Sequence, residues 1–439
     1  MRSRYRTLLW PLLAALLPLL AVWLAPPRVR AAGTWYVSAN TGDDANDCAA
    51  PATPCLTIQA ALGKPGFLPG DTVLVAEGNY IDYINLEVVS LTQDVTLSGG
   101  WDTTFTSQGD RSIVEGNRGM TIENGVTATI MYLEVVGNYS GGLYNQGALT
   151  LDDVRVSGYN SGGLYNGGNL MVRNSLFDWS YYNGIVNDGV LVITNTLITG
   201  NYGIGISNSG TLTMYNSTVS DHTGAFVCHG ISNAGKMVMI DSTVVRNGES
   251  FGFGGGICNY GQMTLINSTV RDNRVFDTTG GGVYNRGSLF LYNTSVVSNN
   301  VWHAGTGGGI YGGNVMIQNS LIAENDGGAG PDCNPNIQSL GYSLIKDTSD
   351  CSVTSGPGDL LDVASGVFPY KWILTAPLIY TSPAIDAGDP AGCKDMNGNP
   401  LSTDQRGVSR VGRCDIGSYE YDPQLDPLLY FRMPWVENQ

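Results

Sequence analysis

The stretch "GGGVYNRGSLFLYNTSVVSNN" runs from Gly280 to Asn300. It contains a glycine cluster, an Asn, another Gly, apolar residues at every second position and a final Asn pair. If the last glycine of the cluster is taken as an anchor, the pattern occurs eight times in the chain. The anchors are Gly142, Gly163, Gly184, Gly205, Gly230, Gly256, Gly282 and Gly309, and their spacings are 21, 21, 21, 25, 26, 26 and 27 residues.

Two kinds of position are shared by the copies. An Asn follows three residues after seven of the anchors: Asn145, Asn166, Asn187, Asn208, Asn233, Asn259 and Asn285, with Gly312 in the last copy. Apolar pairs follow seven and nine residues after the anchors, from Leu149/Leu151 to Leu289/Leu291. The pairs alternate with polar neighbours, which is the period of a β-strand.

No single copy can bury its own apolar side chains, so successive copies must stack on one another. Stacked parallel strands lie about 4.8 Å apart, and every shared position then becomes a column. A column of Leu, Ile and Val fills the interior, while a column of Asn can link amide to amide and tolerates tight turns. The pattern therefore predicts an all-β, right-handed parallel β-helix with three strands per coil.

The chain divides into five predicted parts. Residues 1–31 form a signal peptide, 32–118 an N-terminal cap with the first coils, and 119–326 the regular repeats. Residues 327–421 contain the C-terminal coils and an irregular module, and 422–439 form a tail. A short amphipathic helix around Thr57–Leu62 is expected to cover the open end of the core, because an exposed end would offer apolar surface and unpaired strand edges.

The N-terminus has three arginines, an apolar run from Leu8 to Ala25, two prolines and then small residues. This order is typical of a secretory signal peptide. The alternative is an uncleaved anchor, since about 18 apolar residues can just span a bilayer; the prolines and small residues favour cleavage. No other segment is apolar enough to give the mature chain a stable membrane span.

The charge excludes one class of partner. The whole chain has a net charge of −16, and loss of the five arginines in residues 1–31 leaves about −21. Nucleic acid binding requires a basic surface, so a nucleic acid partner is not expected.

The eight cysteines indicate an oxidising compartment. Three disulfides are predicted from closeness in sequence: Cys48–Cys55, Cys333–Cys351 and Cys393–Cys414. The sequence does not decide whether Cys228 and Cys258 form a fourth disulfide, because these residues lie two positions before and two positions after their anchors. That offset corresponds to roughly 13 Å along a strand, and only a loop that folds back would join them.

Several motifs resemble known families. The segments "TLSGGWDTTFT" (Thr96–Thr106) and "NGVTATIMYLEVVGN" (Asn124–Asn138) resemble secreted bacterial proteins of the pectin-lyase-like β-helix class. The "GGGI" and "GGGV" clusters followed by "DN" or "NN" resemble repeats of polymorphic outer-membrane proteins. The resemblance covers most of the mature chain and implies a secreted or surface β-helix.

The C-terminal motifs "SPAIDAGDP", "DQRGVSR" and "CDIGSYEY" resemble the choice-of-anchor Q module of bacterial surface proteins. This resemblance implies a surface protein with a variable sorting tail. The tail "DPQLDPLLYFRMPWVENQ" has neither a membrane span nor a terminal basic cluster, so the sequence leaves the mode of attachment open.

Polysaccharide-cleaving β-helices suggest one possible chemistry. A hydrolase needs clustered carboxylates, and a lyase needs a cation with a basic side chain. The sequence contains no Asn-Thr-Asp, Gly-His-Gly or Arg-x-Lys motif. Asp221, His222 and His229 are the candidates for a catalytic cluster, whereas Asp153 shares a column with Asn174, Asn195 and Asn216 and is interpreted as a turn residue.

The four longer copies have their extra residues between the last strand of one coil and the anchor of the next. These insertions are His222–His229, Gly248–Gly255, Arg274–Gly281 and Asn300–Gly308. Because the copies stack, the insertions must share one face of the solenoid. Insertions of this kind often build a binding face. The predicted binding residues at this edge are Trp179, Tyr181, Tyr182, Tyr202, Phe226, Phe251, Phe253, Phe276, Trp302 and His303. The rings can either contact a sugar or a protein partner or fold back and cover the wall.

The loop "DPAGCKDMNGNP" offers Asp395, Asn397 and Asn399 at alternate positions, a spacing that suits calcium. An ordinary Asn-Gly turn is the alternative, and no other cofactor is expected. Taken together, the sequence predicts a secreted or surface-displayed monomer that binds carbohydrate or a cell-surface protein without catalysis. The predicted locations are the extracellular space, the cell surface and the cell envelope, including the outer membrane. The alternative is a polysaccharide lyase or glycosidase that uses the same face.

Overall fold

The computed structural model describes residues 31–224, 228–303, 305–334, 336–368 and 373–426. Nearly all of the predicted signal peptide and most of the predicted tail lie outside these residues. Among the residues described, none of the helices has the length and hydrophobicity that crossing a bilayer requires.

The chain forms an all-β, right-handed parallel β-helix, and the regular coils are built on three strands each, as predicted, with a fourth strand in three of them. Strands are numbered in chain order. The second strands of the coils form a parallel sheet of 14 strands: β1 (Thr34–Val37), β2 (Asp71–Ala76), β4 (Val95–Trp101), β6 (Thr127–Met131), β9 (Ala148–Asp152), β12 (Asn169–Arg173), β15 (Val190–Thr194), β18 (Thr211–Tyr215), β21 (Lys236–Ile240), β25 (Gln262–Ile266), β29 (Ser288–Tyr292), β33 (Asn314–Gln318), β35 (Asn336–Ser339) and β37 (Ser352–Thr354).

The first and third strands of the coils form two further columns. The first strands are β8 (Leu143–Asn145), β11 (Leu164–Asn166), β14 (Ile185–Asn187), β17 (Ile206–Asn208), β20 (Ile231–Asn233), β24 (Ile257–Asn259), β28 (Val283–Asn285) and β32 (Ile310–Tyr311). The third strands are β7 (Leu133–Gly137), β10 (Arg155–Gly158), β13 (Leu176–Asp178), β16 (Leu197–Thr199), β19 (Thr218–Ser220), β22 (Thr243–Val245), β26 (Thr269–Arg271), β30 (Ser295–Val297), β34 (Leu321–Ala323), β36 (Leu344–Ile345) and β38 (Leu360–Leu361). The long strands β3 (Asn79–Leu91) and β5 (Ser112–Ile122) extend along both columns and join them into one sheet.

The register of the strands follows the repeat columns. Leu170 lies beside Leu149 and Leu191, and Val172 lies beside Leu151 and Ile193. These side chains are buried in one continuous apolar core that extends from the N-terminal cap through the regular coils. The alternation of apolar and polar residues therefore places each predicted apolar pair inside the coil.

The predicted Asn column is a buried chain of side-chain amides, called here the first asparagine ladder. Each Nδ2 donates to the Oδ1 of the Asn on the next coil, at distances of 2.7 to 2.9 Å from Asn145 through to Asn285. The ladder ends at Gly312 and Gly313, which both have positive φ. A Cβ at Gly313 would lie 2.3 Å from the Nδ2 of Asn285, so the last copy needs glycine there.

The N-terminal cap contains the predicted helix, α1 (Ile58–Leu62). Thr57 is its N-cap and accepts a hydrogen bond from the backbone N–H of Ala60. Ile58, Ala61 and Leu62 are buried against the first coils. The helix thus covers the end of the apolar core, as the sequence predicts.

All four cysteine pairs form disulfides, including the pair that the sequence left open. Cys48–Cys55, Cys333–Cys351 and Cys393–Cys414 are bonded as predicted. Cys228 and Cys258 are also bonded, with their Cα atoms 5.9 Å apart. The separation of 13 Å assumed an extended strand, but Cys228 lies outside the strands and the chain bends at the next two residues. Four disulfides indicate folding in an oxidising compartment.

Residues 365–368 and 373–426, called here the C-terminal segment, lie along the flank of the solenoid. Leu378, Ala384 and Ile416 of this segment share a second apolar cluster with Val297 and Leu321 of the coils. Polar contacts accompany the apolar ones: the amide of Gln405 donates to Thr243 and accepts from the hydroxyl of Thr269. The segment therefore docks across several successive coils.

Candidate functional site

The predicted insertion loops contain regular structure that the sequence did not reveal. Three of them pair in parallel as β23 (Gly248–Phe251), β27 (Arg274–Phe276) and β31 (Asn300–Trp302), called here the insertion sheet. Val275 and Val301, the middle residues of β27 and β31, are buried. Because side chains alternate along a strand, the residues on either side of Val275 and Val301 lie on the face of the insertion sheet that points away from the buried valines. The insertions share one face, as expected, but they form a wall and not a set of free loops.

A groove of about 620 Å³ lies beside the insertion sheet, at the corner that follows the third strands. Its volume falls within the range of ligand-binding clefts. Its wall includes Arg274, Asn300 and Trp302 of the insertion sheet, and Asp326 lies in the next coil. Its floor consists of Asp221, Arg246, Asp272, Ser298 and Glu324, one from each of five successive coils. These residues define what is called here the corner groove.

The floor residues share a backbone conformation. Asp221, Arg246, Asp272, Ser298 and Glu324 all have φ between 52° and 61°. This left-handed conformation is uncommon for residues other than glycine, and it turns the chain sharply at each corner. Because the turn recurs on every coil, the side chains that follow one another along the groove are about 4.8 Å apart.

A second asparagine ladder lies next to the floor residues and was not predicted. Asn247, Asn273, Asn299 and Asn325 are buried, and each Nδ2 of the first three donates to the Oδ1 of the next at 2.9 Å. Each of these Asn residues directly follows a floor residue. The "DN" and "NN" pairs of the repeat contained this signal: Asn273 is the second member of "DN" and Asn299 the first member of "NN", and both are buried rungs.

Each carboxylate of the groove accepts hydrogen bonds. Asp221 forms two with the guanidinium of Arg246, at 2.8 and 2.9 Å. Glu324 accepts from Lys346 at 2.5 Å and from the hydroxyl of Ser365 at 2.7 Å. Asp272 pairs with Arg271 at 2.9 Å, and Asp326 accepts from the amide of Asn300 at 2.9 Å. The groove therefore has no large excess of either charge.

The pKa of Asp221 shows the result of this pairing. Partial burial opposes ionisation, but hydrogen bonds from Arg246 and Ser220 outweigh it. The pKa of the carboxyl group therefore lies below its usual range, and Asp221 is ionised at neutral pH.

The aromatic contribution to the groove comes from Trp302, which is 43% exposed. The guanidinium of Arg274 lies 4.7 Å from its ring centroid, and the Phe276 ring meets it edge-on at 5.0 Å. Phe276 and Trp302, two of the predicted binding residues, are thus in contact. His303 is exposed at the end of the same strand.

The other predicted aromatic residues have different locations. Trp179, Tyr181, Tyr182 and Tyr202 are exposed on the coils that precede the groove, where Tyr181 and Tyr202 stack on each other. Phe253 stacks on Tyr284 and so covers the wall, which is the alternative that the sequence left open. Phe226 lies outside the described residues, and Phe251 is described only through its position in β23.

The predicted catalytic cluster is not assembled in the groove. Only Asp221 faces the groove; His222 is the next residue, is fully buried and occupies a rung of the second asparagine ladder. Burial lowers the pKa of His222 to about 4 and also lowers the pKa of His229, which is buried as well. Alternate residues of a strand or tight turn point in opposite directions, which separates Asp221 from His222. A catalytic role for these three residues stays a prediction without support from their positions.

The predicted calcium loop is a compact turn. Asp395 accepts hydrogen bonds from the backbone N–H groups of Asn397 and Asn399 and from the side-chain amide of Asn399. Within the described ranges, no group of three or more His, Cys, Asp or Glu residues is arranged to hold a metal. Calcium binding by this loop stays a prediction.

The three motifs near the C-terminus supply the polar interior of the C-terminal segment. Arg410 and Glu420 form a buried ion pair at 3.1 Å, and Arg406 pairs with Asp404 at 2.7 Å. Burial raises the pKa of Asp415 to about 7, although its carboxylate accepts two backbone hydrogen bonds. These residues hold the segment together and do not line the corner groove.

Comparison with known proteins supports the fold. The family described as "Right handed beta helix region" matches residues 142–296. The structure of XylC in complex with xylose is 10% identical, covers 89% of this chain and 98% of its own, and has a TM-score of 0.55. The pectate lyase Pel9A is 15% identical over 90% and 98%, with a TM-score of 0.48.

A more distant likeness is to the A-module of the mannuronan C-5 epimerase AlgE4 from Azotobacter vinelandii, 15% identical over 67% of this chain and 89% of that one, with a TM-score of 0.35. No curated protein matches the chain. The match to the family description and the likeness to XylC, at 10% identity, show a shared right-handed β-helix and no more.

Proposed function

We propose that the protein is a non-catalytic β-helix that binds an extended, uncharged glycan in the corner groove. The observation that carries this proposal is the combination of exposed Trp302 with a floor of polar side chains that repeats once per coil. An aromatic ring can pack against the apolar face of a sugar, and paired charges can bind its hydroxyl groups.

The dimensions of the groove favour a chain-like ligand. Its floor covers five coils, so equivalent side chains recur at about 4.8 Å over a length of about 19 Å. A repeating ligand that runs parallel to the solenoid axis would meet the same kind of surface at each coil. A pyranose residue has a similar length, so each coil can form one subsite.

The charges of the groove favour an uncharged glycan over a polyuronate. Arg246 is engaged by Asp221, and Arg274 lies over Trp302. Asp326 and the acidic character of the whole chain would repel further carboxylates. A polyuronate would need cations in excess of the carboxylates, and the described residues that line the groove include two arginines beside four carboxylates.

A glycoside hydrolase is the second candidate, because Asp221, Asp272 and Glu324 lie on alternate coils. Two coils correspond to about 10 Å, which is near the separation of carboxyl groups in inverting hydrolases. Hydrolysis also requires a carboxylic acid that can donate a proton. The lowered pKa of Asp221 favours its ionised form, and Asp272 and Glu324 form ion pairs with Arg271 and Lys346. We therefore favour binding without cleavage.

We further propose a secreted or surface-displayed location, in line with the four disulfides. The proposal also includes attachment through a C-terminal region of the choice-of-anchor Q type. It further includes a cell-surface protein as an additional partner and a monomeric state.

The test uses the mature protein and soluble hexasaccharides of glucose, xylose, mannose, N-acetylglucosamine and galacturonic acid. We expect calorimetry to detect binding of at least one uncharged hexasaccharide, no binding of the galacturonate, and no cleavage product by chromatography. Trp302→Ala should weaken binding by about 2 kcal/mol, as for a central aromatic contact. Trp179→Ala is the matched control, since Trp179 is exposed outside the groove. Cleavage, tighter binding of galacturonate, or equal effects of both substitutions would contradict the proposal.

A further inference from the structure

We infer that the C-terminal segment helps to shape the corner groove, because it positions two of the carboxylates that line the groove, Asp272 and Glu324. The inference rests on the proposed function of the groove, since it assigns these carboxylates to the ligand-binding surface. It gives the C-terminal segment a role in ligand recognition besides any role in attachment.

The contact with Glu324 is direct. Ser365, at the start of the C-terminal segment, donates its hydroxyl to Oε1 of Glu324 at 2.7 Å. Oε2 of the same carboxylate accepts from Lys346 at 2.5 Å. With one oxygen held from the segment and the other from the coils, the carboxylate has a fixed orientation at the edge of the groove.

The contact with Asp272 passes through Arg271. The Nε of Arg271 donates to Oδ2 of Asp272 at 2.9 Å, and its Nη1 donates to the backbone carbonyl of Thr375 in the C-terminal segment. Arg271 is 0% exposed. A buried guanidinium is stable only when its donors are paired, so the position of Thr375 fixes Arg271 and, through it, Asp272.

The repeat itself marks Arg271 as exceptional. Its equivalents on the neighbouring coils are Val245 and Val297, and the next coil has Ala323. Val297 and Ala323 pack against the C-terminal segment in its apolar cluster. Between Val245 and Ala323 this column is apolar except at Arg271, which connects the segment with a groove carboxylate.

The opposite end of the groove does not depend on the segment in this way. Asp221 is held by Arg246 of the next coil, a contact within the solenoid. Disturbing the C-terminal segment should therefore change the surroundings of Glu324 and Asp272 and leave the pair Asp221–Arg246 unchanged.

The experiment compares Ser365→Ala with Ser418→Ala in the full chain. Both are buried serines of the C-terminal segment, but Ser418 contacts the hydroxyls of Thr269 and Ser295, away from the groove. The protein is labelled with ¹³C at the carboxyl carbon of its nine glutamates, and Glu324→Gln identifies the signal of Glu324. Ser365→Ala should move this signal, Ser418→Ala should leave it in place, and Ser365→Thr should restore it.

The second readout is the affinity for the uncharged hexasaccharide that the parent protein binds most tightly. Ser365→Ala should weaken it roughly fivefold, in keeping with the loss of one hydrogen bond, while Ser418→Ala and Ser365→Thr should not. An unmoved Glu324 signal in Ser365→Ala, or equal losses of affinity in the two alanine variants, overturns the inference. If the parent binds no hexasaccharide, the proposed function fails, and the carboxyl signal alone decides whether the segment positions Glu324.

Discussion

Asn233 shows how much one repeated residue contributes to this fold. Its Oδ1 accepts from Asn208 at 2.7 Å, and its Nδ2 donates to Asn259 at 2.9 Å and to the carbonyl of Gln262 at 3.1 Å. The side chain is fully buried. Each amide therefore links two neighbouring coils, and the loss of one rung removes the hydrogen bonds that it forms on both sides.

We expect Asn233→Leu to lower the free energy of unfolding by about 1–3 kcal/mol, because it removes buried hydrogen bonds with Asn208, Asn259 and Gln262. Asn169→Leu makes the same chemical change at an exposed strand position and serves as control. The check is thermal unfolding followed by circular dichroism. Equal melting temperatures for Asn233→Leu and the parent would count against a stabilising ladder.

His222 is the exception in the second asparagine ladder. Its Nδ1 accepts from the backbone N–H of Asn201 at 3.1 Å, but within the described residues its buried Nε2 forms no hydrogen bond of good geometry. Since burial lowers its pKa to about 4, the folded protein binds this proton less readily than the unfolded chain, whose histidine has a pKa near 6.5. The associated stability is present above pH 6.5 and is lost as the pH falls through 4.

His222→Asn should therefore stabilise the protein increasingly as the pH falls from 7 to 4, by up to roughly 3 kcal/mol. An Asn restores the rung and does not take up a proton. Melting temperatures of the variant and the parent at several pH values test this expectation. A difference that is constant with pH, or a large loss of stability at pH 7, would contradict it, and loss of a glycan-cleaving activity would return His222 to the catalytic candidates.

At the scale of strands and coils, the regular β-helix could be predicted because its signal is redundant. Leu170, Leu191 and Leu212 occupy one column, and neighbouring columns repeat the same information. The insertion sheet could not be predicted, because β27 and β31 have only three residues, with one apolar centre each: Val275 and Val301. Such short strands are formed by stacking on each other and have no recognisable period of their own.

Trimming the insertions Gly248–Gly255, Arg274–Gly281 and Asn300–Gly308 to the length found between Gly184 and Gly205 should leave a folded β-helix without its groove wall. All three must be trimmed together, since removal of β27 alone would leave two unpaired edges. Circular dichroism should retain the β-sheet spectrum, whereas glycan binding should disappear. Unchanged affinity in the trimmed protein would place the ligand site elsewhere.

At the scale of the molecule, the lateral docking of the C-terminal segment was beyond prediction from the repeat. Its contacts join residues far apart in sequence: Arg410 donates to Asn267, and the amide of Gln405 reaches the carbonyl of Ser242. No period connects such pairs. The motifs near the C-terminus were recognisable by resemblance, but only the structure shows that Arg410 and Glu420 form a buried pair.

Arg410→Met should release the C-terminal segment, because it leaves Glu420 buried without its partner, at a cost of about 3–5 kcal/mol. Limited proteolysis should then cut within residues 373–426, while the β-sheet spectrum of the coils persists. Arg173→Met, which removes a more exposed partner of Asp152, is the control. Equal resistance of Arg410→Met and the parent to the protease would show that the apolar cluster alone holds the segment.

The second asparagine ladder also has a polarity. In every bond between two side-chain amides the Nδ2 donates towards the C-terminal end, and the last Nδ2, that of Asn325, donates to Asp332 at 2.9 Å. Asp332 also accepts the backbone N–H of Asn325, the position that another Asn would take, and burial raises its pKa to about 6. A carboxylate accepts but does not donate, so the relay of amides terminates there. The second asparagine ladder can consequently lengthen during evolution by duplication of an internal copy of the repeat. A copy added beyond Asp332 would not extend the ladder, because Asp332 has no side-chain amide N–H to donate to the Asn of that copy.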